Sequence, residues 1–245
     1  MMTDLVDIWV YLARSPLLWL TATLLAYGVG YWCMEKCRHH PAVNPVAIAA
    51  ALLVALLLLS GTSYQAYFDG AQFVHFLLGP AIVALAVPLF RHLPKVRASL
   101  VPTLAALLVG ASVAAVSAIT VAVWFGATPQ VTLSMAPKST TSPIAMGISE
   151  QIGGLPSLTA AMVVATGVLG AILVTPLLNL LRIRDWRARG FAAGTVSHGI
   201  GTARAFQVNA VAGVFAAVAL CLNALATPIL VPLIVAALQG FIGAK

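Results

Sequence analysis

Long apolar runs separated by short polar or charged intervals dominate the chain. Runs at 17–34, 44–60, 72–90, 98–125 and 157–181 each match or approach the roughly 20 residues that cross a bilayer's hydrocarbon core. Pro45 suits the first turn of the second run, where its missing N–H is no loss. A polar interval at 61–71, with Tyr64, Tyr67, Phe68 and Asp69, precedes the third run, which Gly79-Pro80 and Pro88 interrupt. The stretch 207–242 is apolar, too long for one span and broken at Pro228 and Pro232, so it predicts two. Leu5, Ile8, Trp9 and Leu12 share one helical face, which predicts an amphipathic helix at the membrane interface over 1–16. Asp4 and Asp7 stand where a secretory signal needs positive charge.

Two segments break the pattern. Residues 126–156 carry Pro129, Pro137, Lys138, Pro143, Glu150, Gly153, Gly154 and Pro156, a set that no straight membrane-crossing helix would hold. Residues 190–206 are Gly-rich and polar, with Thr195, Ser197, His198, Thr202 and Arg204. The charges locate both. With the N-terminus outside, the inner loops collect Lys36, Arg38, Arg91, Lys95, Arg97, Arg182, Arg184, Arg187, Arg189 and Lys245, and the outside keeps Arg14 and Lys138. The first broken segment must then enter and leave from the outer side, and the second from the inner side. Opposed re-entrant segments are the geometry of an inverted repeat in a secondary transporter. A faint internal echo agrees, since Thr140-Thr141-Ser142-Pro143 and Thr195-Val196-Ser197-His198-Gly199 both place hydroxyls before a break. The expected fold is all-α: a polytopic transmembrane bundle of about seven spans plus two oppositely oriented re-entrant segments.

Composition narrows the function. The chain of 245 residues is 61% hydrophobic and 8% charged, too little charge to cover a water-soluble surface. The net charge of +7 sits in loops and forms no basic stripe interleaved with aromatics, which excludes a nucleic-acid reader. Cys33, Cys37, His39 and His40 crowd one region but fit no zinc spacing, so no metal is expected there. An odd count of three cysteines, with Cys221, forms no disulfide framework. No zinc-protease, phosphate-loop or dinucleotide fingerprint appears, and adjacent Ser197 and His198 side chains diverge. The chain is therefore read as a non-enzyme without cofactors, and Gly28-x-Gly30 as helix packing.

The candidate chemistry lies in the broken segments. Irregular backbone at membrane depth survives only where protein buries it or water fills a cavity. Lys138, Ser139, Thr140, Thr141 and Ser142 precede a helix start at Pro143, and free N–H groups there favour an anion. From the second segment, Ser197, His198, Thr202 and Arg204 complete the expected substrate site. An arginine between apolar stretches is a functional candidate, and its guanidinium matches a carboxylate through two parallel bonds. Glu150, His198 and His75 are the candidates for coupling transport to protons.

The stretches 24–46, 67–90, 137–160 ("PKSTTSPIAMGISEQIGGLPSLTA") and 197–205 ("SHGIGTARA") together resemble the LrgB/CidB family. The resemblance runs from about Leu17 to the C-terminus. One departure is the run after Lys138-Ser139, where the family commonly shows Val-Thr-Thr and this chain has Thr140-Thr141-Ser142. The resemblance implies two functions. Bacterial members are named holin-like or antiholin-like regulators of murein hydrolases, and a plant chloroplast relative is a glycolate/glycerate transporter. It also implies a membrane partner of the LrgA/CidA type.

A passive pore needs no broken helices with a buried cation, so the residues favour a carrier for small monocarboxylates of the glycolate, glycerate or pyruvate type. The alternative is a holin-like regulator of cell lysis. Expected are one transmembrane domain over 1–245, with N-terminal spans at 17–71 and a transport core at 72–245. A homodimer in the inner membrane is expected, bathed by lipid, with its N-terminus outside and its C-terminus cytoplasmic.

Overall fold

A computed structural model of the chain describes residues 16–40, 43–84 and 86–243. The predicted interfacial helix lies, but for Pro16, outside the described residues. The described residues are helical throughout, connected by turns: α1 (Pro16–Lys36), α2 (Pro45–Ser60), α3 (Tyr64–Phe76), α4 (Leu78–Ala84), α5 (Ala86–Arg91), α6 (Leu93–Ala98), α7 (Leu100–Trp124), α8 (Pro129–Met135), α9 (Ser142–Gln151), α10 (Pro156–Leu180), α11 (Trp186–Val208), α12 (Ala210–Ala237) and α13 (Gln239–Gly243). Four helices are long and apolar enough to cross a membrane, and α2 is a shorter apolar helix. The chain divides into two compact units at Ala86/Val87.

In the first unit, Asn44 caps α2, its Oδ1 accepting the Val46 and Ala47 N–H groups at 2.9 and 3.2 Å, with Pro45 in the first turn as expected. Gly61 closes that helix in the left-handed conformation (φ 63°). Gly30 lets α1 approach the backbone of Pro45, which agrees with its reading as a packing residue. Trp19, buried on α1, meets Tyr67 of α3 edge to face at 5.8 Å, and the Tyr67 hydroxyl lies 3.2 Å from that of Thr23. His39 pairs with Glu35 at 3.3 Å one turn earlier.

In the second unit, α7 and α12 carry the core. Ala115, Ile119 and Val123 of α7 meet Ile148 of α9 and Val231 and Val235 of α12. A second cluster joins Leu107 of α7 to Phe191 of α11 and to Val214, Phe215 and Ala219 of α12. Outward apolar side chains such as Val101, Leu225, Ile229 and Leu233 remain exposed. A water-soluble protein does not leave such stripes bare, and lipid covers them at no cost.

Two expectations are corrected. Residues 207–242 are not two spans: α12 runs unbroken for 28 residues, about 42 Å at 1.5 Å per residue, with Pro228 and Pro232 inside it. Each proline removes one helical hydrogen bond, and around them Val231 and Val235 pack against α7 and α9. The interval at 61–71 and the run at 72–90 are not a loop followed by one span. They form the short helices α3, α4 and α5.

Candidate functional site

The first broken segment folds back on itself. Thr128 and Pro129 start α8, with the Thr128 hydroxyl accepting the Val131 N–H at 3.4 Å. The helix stops at Met135, residues 136–141 form a turn around Pro137, and α9 starts at Ser142-Pro143. The Thr159 hydroxyl of α10 lies 2.9 Å from the Ser134 carbonyl oxygen and 2.7 Å from the Ser149 hydroxyl. The Leu155 N–H donates to the Ser134 hydroxyl at 2.7 Å. Residues 134 and 149 thus share one level, and the chain between them goes out and returns as a hairpin with its tip at 136–141.

The second broken segment does the same by different means. Within α11 only His198 has non-helical dihedrals (φ 41°, ψ −129°). A Cβ on Gly190 would overlap the Ala212 carbonyl of α12, and one on Gly194 the Ala216 carbonyl. Residue 190 is therefore level with 212 and residue 194 with 216, so the intervening chain must also go out and return. A Cβ on Gly201 would sit 2.5 Å from the Ala193 carbonyl, as arms folded together require. The paired glycines four residues apart let two helix backbones touch. A positive φ at a non-glycine residue costs on the order of 1–3 kcal/mol. His198 is held there by its Nε2, 3.0 Å from the Val163 carbonyl of α10, and by the Thr202 hydroxyl, which donates to its carbonyl at 2.8 Å.

The two tips meet at Asn223 of α12. Its Nδ2 donates to the Ser139 carbonyl at 3.0 Å and to the Thr195 carbonyl at 3.1 Å. Around this crossing the hydroxyls of Ser139, Thr140 and Ser197 are buried without a hydrogen-bond partner. Buried hydroxyls are nearly always satisfied, so these three are the groups of the crossing best able to bind a polar ligand. Thr141 stands at the N-cap of α9 but makes no side-chain cap bond. The return arm at 199–208 likewise begins at the tip, so two helix starts with their partial positive charge lie at the crossing. Lys138 and Ser197, one from each hairpin, line a cavity of about 530 Å³ whose remaining walls include Met135, Met162, Thr166 and Gly170. A second cavity of about 480 Å³ is lined from Ser99, Asp185 and Arg187 to Thr195 and Phe215.

The expected site residues separate into groups. Lys138, Ser139, Thr140, Thr141, Ser142 and Ser197 gather at the tips. Thr202 and His198 are engaged in holding the second tip. Arg204 stands with Trp186 and Arg189 at the base of the second hairpin, lining a small cavity there, and its Nη1 donates to Gln207 Oε1 at 3.3 Å. The expectation that it meets the hydroxyls of the first tip is corrected, because the return arm carries it back toward the arm's start. Glu150 is exposed near the far end of α9. His75 falls in α3, and its side chain lies outside the described residues. Ser134, Ser149, Thr159 and Asn223 went unnoticed in the sequence, although each is a polar residue within or beside an apolar helix.

The LrgB-like family model matches residues 23–237. Among curated relatives, protein YwbG of Bacillus subtilis (strain 168), named as uncharacterized, is 36% identical over 184 residues, 75% of this chain and 82% of that protein. Protein YxaC of the same organism, also named as uncharacterized, is 36% identical over 195 residues, 80% of this chain and 85% of that protein. The Holin-like protein CidB of Staphylococcus epidermidis is 28% identical over 221 residues, 90% of this chain and 96% of that protein. No solved structure matches the chain.

Proposed function

The chain belongs to the LrgB-like family, and from that premise we propose that this membrane protein carries small monocarboxylates, of the glycolate, glycerate or pyruvate type, across the bilayer at the crossing of its two hairpins. One observation carries this reading: the buried, partnerless hydroxyls of Ser139, Thr140 and Ser197, set between two helix starts. A carboxylate accepts hydrogen bonds from hydroxyls and backbone N–H groups, and Lys138 supplies a cation beside them. Proton coupling is part of the proposal, with Glu150, His198 and His75 as its candidates. Because the His198 Nε2 is committed to Val163, Glu150→Gln and His75→Gln are the first substitutions to try.

The relatives' names favour a second reading more directly than the first. In it the chain is a holin-like or antiholin-like protein that acts on murein hydrolases and cell lysis, together with a CidA-type partner. A homodimer in a bacterial inner membrane is compatible with both readings. With the basic loop at Arg182–Arg189 cytoplasmic, a single crossing by α12 would put the C-terminus on the outer face, an alternative to the cytoplasmic C-terminus expected from the sequence.

Purified protein in liposomes separates the readings. The carrier reading expects saturable glycolate uptake, competed by glycerate and pyruvate, with no release of an entrapped dye. The holin-like reading expects no saturable uptake, with either leakage of glycolate and dye alike or no flux at all.

A further inference from the structure

Asn223 is a polar side chain that touches both hairpins. An asparagine amide carries two N–H donors, and here each meets a backbone carbonyl, Ser139 at 3.0 Å and Thr195 at 3.1 Å. The other end of the side chain is oriented too. The Thr227 hydroxyl, one turn later, lies 2.6 Å from the Asn223 carbonyl and 3.2 Å from its Oδ1. That contact turns the oxygen toward Thr227 and the NH₂ group toward the tips. Asn223 is 2% exposed, so no water competes for its donors. Four residues after Ser139 stands Pro143, which has no N–H, and the helix after Thr195 is broken at His198.

The geometry points to Asn223 as the positioning residue of the site: one amide holds both tips and so sets the spacing between the hydroxyls of Ser139 and Thr140 on one side and Ser197 on the other. Neither tip shifts without breaking a bond to the same NH₂ group, so the two hairpins move together. Residues from two separate segments act as one site only because a third helix joins them.

The inference that this spacing governs solute affinity rests on the carrier reading; the structural tie does not. Two arms of one experiment keep them apart. The first is amide hydrogen exchange of the purified, solute-free protein. Asn223→Leu keeps the volume and loses both donors. Asn223→Asp sets a charged acceptor against two carbonyls. Asn223→Gln keeps the amide on a longer stem. Exchange at 138–142 and at 195–199 rises together, by about tenfold or more, in the Leu and Asp variants and less in Asn223→Gln, while the middle of α10 is unchanged. Thr227→Val, the milder change should the others fold poorly, raises both tips by a smaller factor. Unchanged exchange at either tip, or a rise spread evenly along α12, overturns the tie.

The second arm is glycolate uptake into liposomes. Asn223→Gln raises the half-saturating concentration severalfold with turnover per folded protein nearly kept. A variant that lowers only the amount of folded protein, with half-saturation unmoved, overturns the role in the solute site. Absence of uptake by the parent overturns the carrier reading and leaves the exchange result to decide the tie.

Discussion

The two hairpins reach the same shape through different physics. The first is tied by polar contacts: Ser134, Ser149 and Thr159 join both of its arms to α10. The second is held by close approach, Gly190 and Gly194 lying on the Ala212 and Ala216 carbonyls of α12. One depends on hydrogen bonds that dry surroundings strengthen, the other on the absence of side chains. Asn223 is where the two solutions meet. The contrast teaches that an interrupted helix can be stabilised either by completing its polar groups or by removing atoms, and the two break differently.

The largest expected effect is on the close-packed hairpin. Gly194→Val places branched atoms against the backbone of α12 and is expected to cost about 3 kcal/mol or more, so little folded protein should survive. Folded yield and thermal unfolding in detergent check it. Parent-like stability would mean that the backbones do not touch. Next comes the polar hairpin. Thr159→Val strands the Ser134 carbonyl and Ser149 hydroxyl and should destabilise by about 1–3 kcal/mol, raising exchange at 129–151 and leaving 186–197 unchanged. A rise in both hairpins would erase the distinction between them.

The third prediction tests where the second tip rests on α10. A Cβ on Gly170 would overlap the Ser197 hydroxyl, so Gly170→Ala should destabilise by about 1–3 kcal/mol. Adding Ser197→Ala removes the clashing oxygen. The pair should then be less harmful than the sum of the single changes, with a coupling of about 0.5 kcal/mol or more. Strict additivity would separate the tip from α10.

Some of this was legible in the sequence. Pro137 and Pro143 around a hydroxyl run announced the first break, and polar residues among glycines announced the second. Three of the expected long apolar helices are present, at Leu17–Lys36, Leu100–Trp124 and Pro156–Leu180. The rest was hidden for identifiable reasons. Gly190 and Gly194 resembled loop residues because glycine at a break and glycine at a tight helix contact look alike until the partner helix is known. Pro228 and Pro232 suggested a chain break, yet a membrane helix tolerates proline when neighbours pack around it. Arg204 was chosen as an arginine between apolar stretches, and the reversal at His198 carries it back to the base of the hairpin. Asn223 carried a readable signal, a single amide within 28 apolar-rich residues, but its two acceptors lie 84 and 28 residues away.

Two smaller effects sharpen the comparison of tip and base. On the carrier reading, Ser139→Ala should raise the half-saturating glycolate concentration by about three- to tenfold, the worth of one hydrogen bond. Arg204→Gln, at the base, should change it by less than about twofold, and the reverse order would return Arg204 to the solute site. Smallest is Asp185→Asn at the start of α11. The Arg187 guanidinium hydrogen-bonds the Asp185 carboxyl and holds it below the usual carboxylate range. Its contribution to stability is therefore present above the unfolded value of about 3.9 and fades as pH falls through the lower folded value. The pair is largely exposed, so the variant should lose only a little stability at neutral pH and match the parent in acid, where Asp185 is protonated and its contribution is already gone.

The most direct test of the site is protection by solute. In a background with Cys33, Cys37 and Cys221 replaced, single cysteines at Ser139 and Ser197 report on the two tips separately. Glycolate should slow maleimide labelling of both with the same concentration dependence, while a cysteine at Glu150 labels at an unchanged rate. Equal labelling at Ser139 and Ser197 with and without glycolate, glycerate or pyruvate, in protein shown to be folded, would contradict a carboxylate site at the crossing of the hairpins.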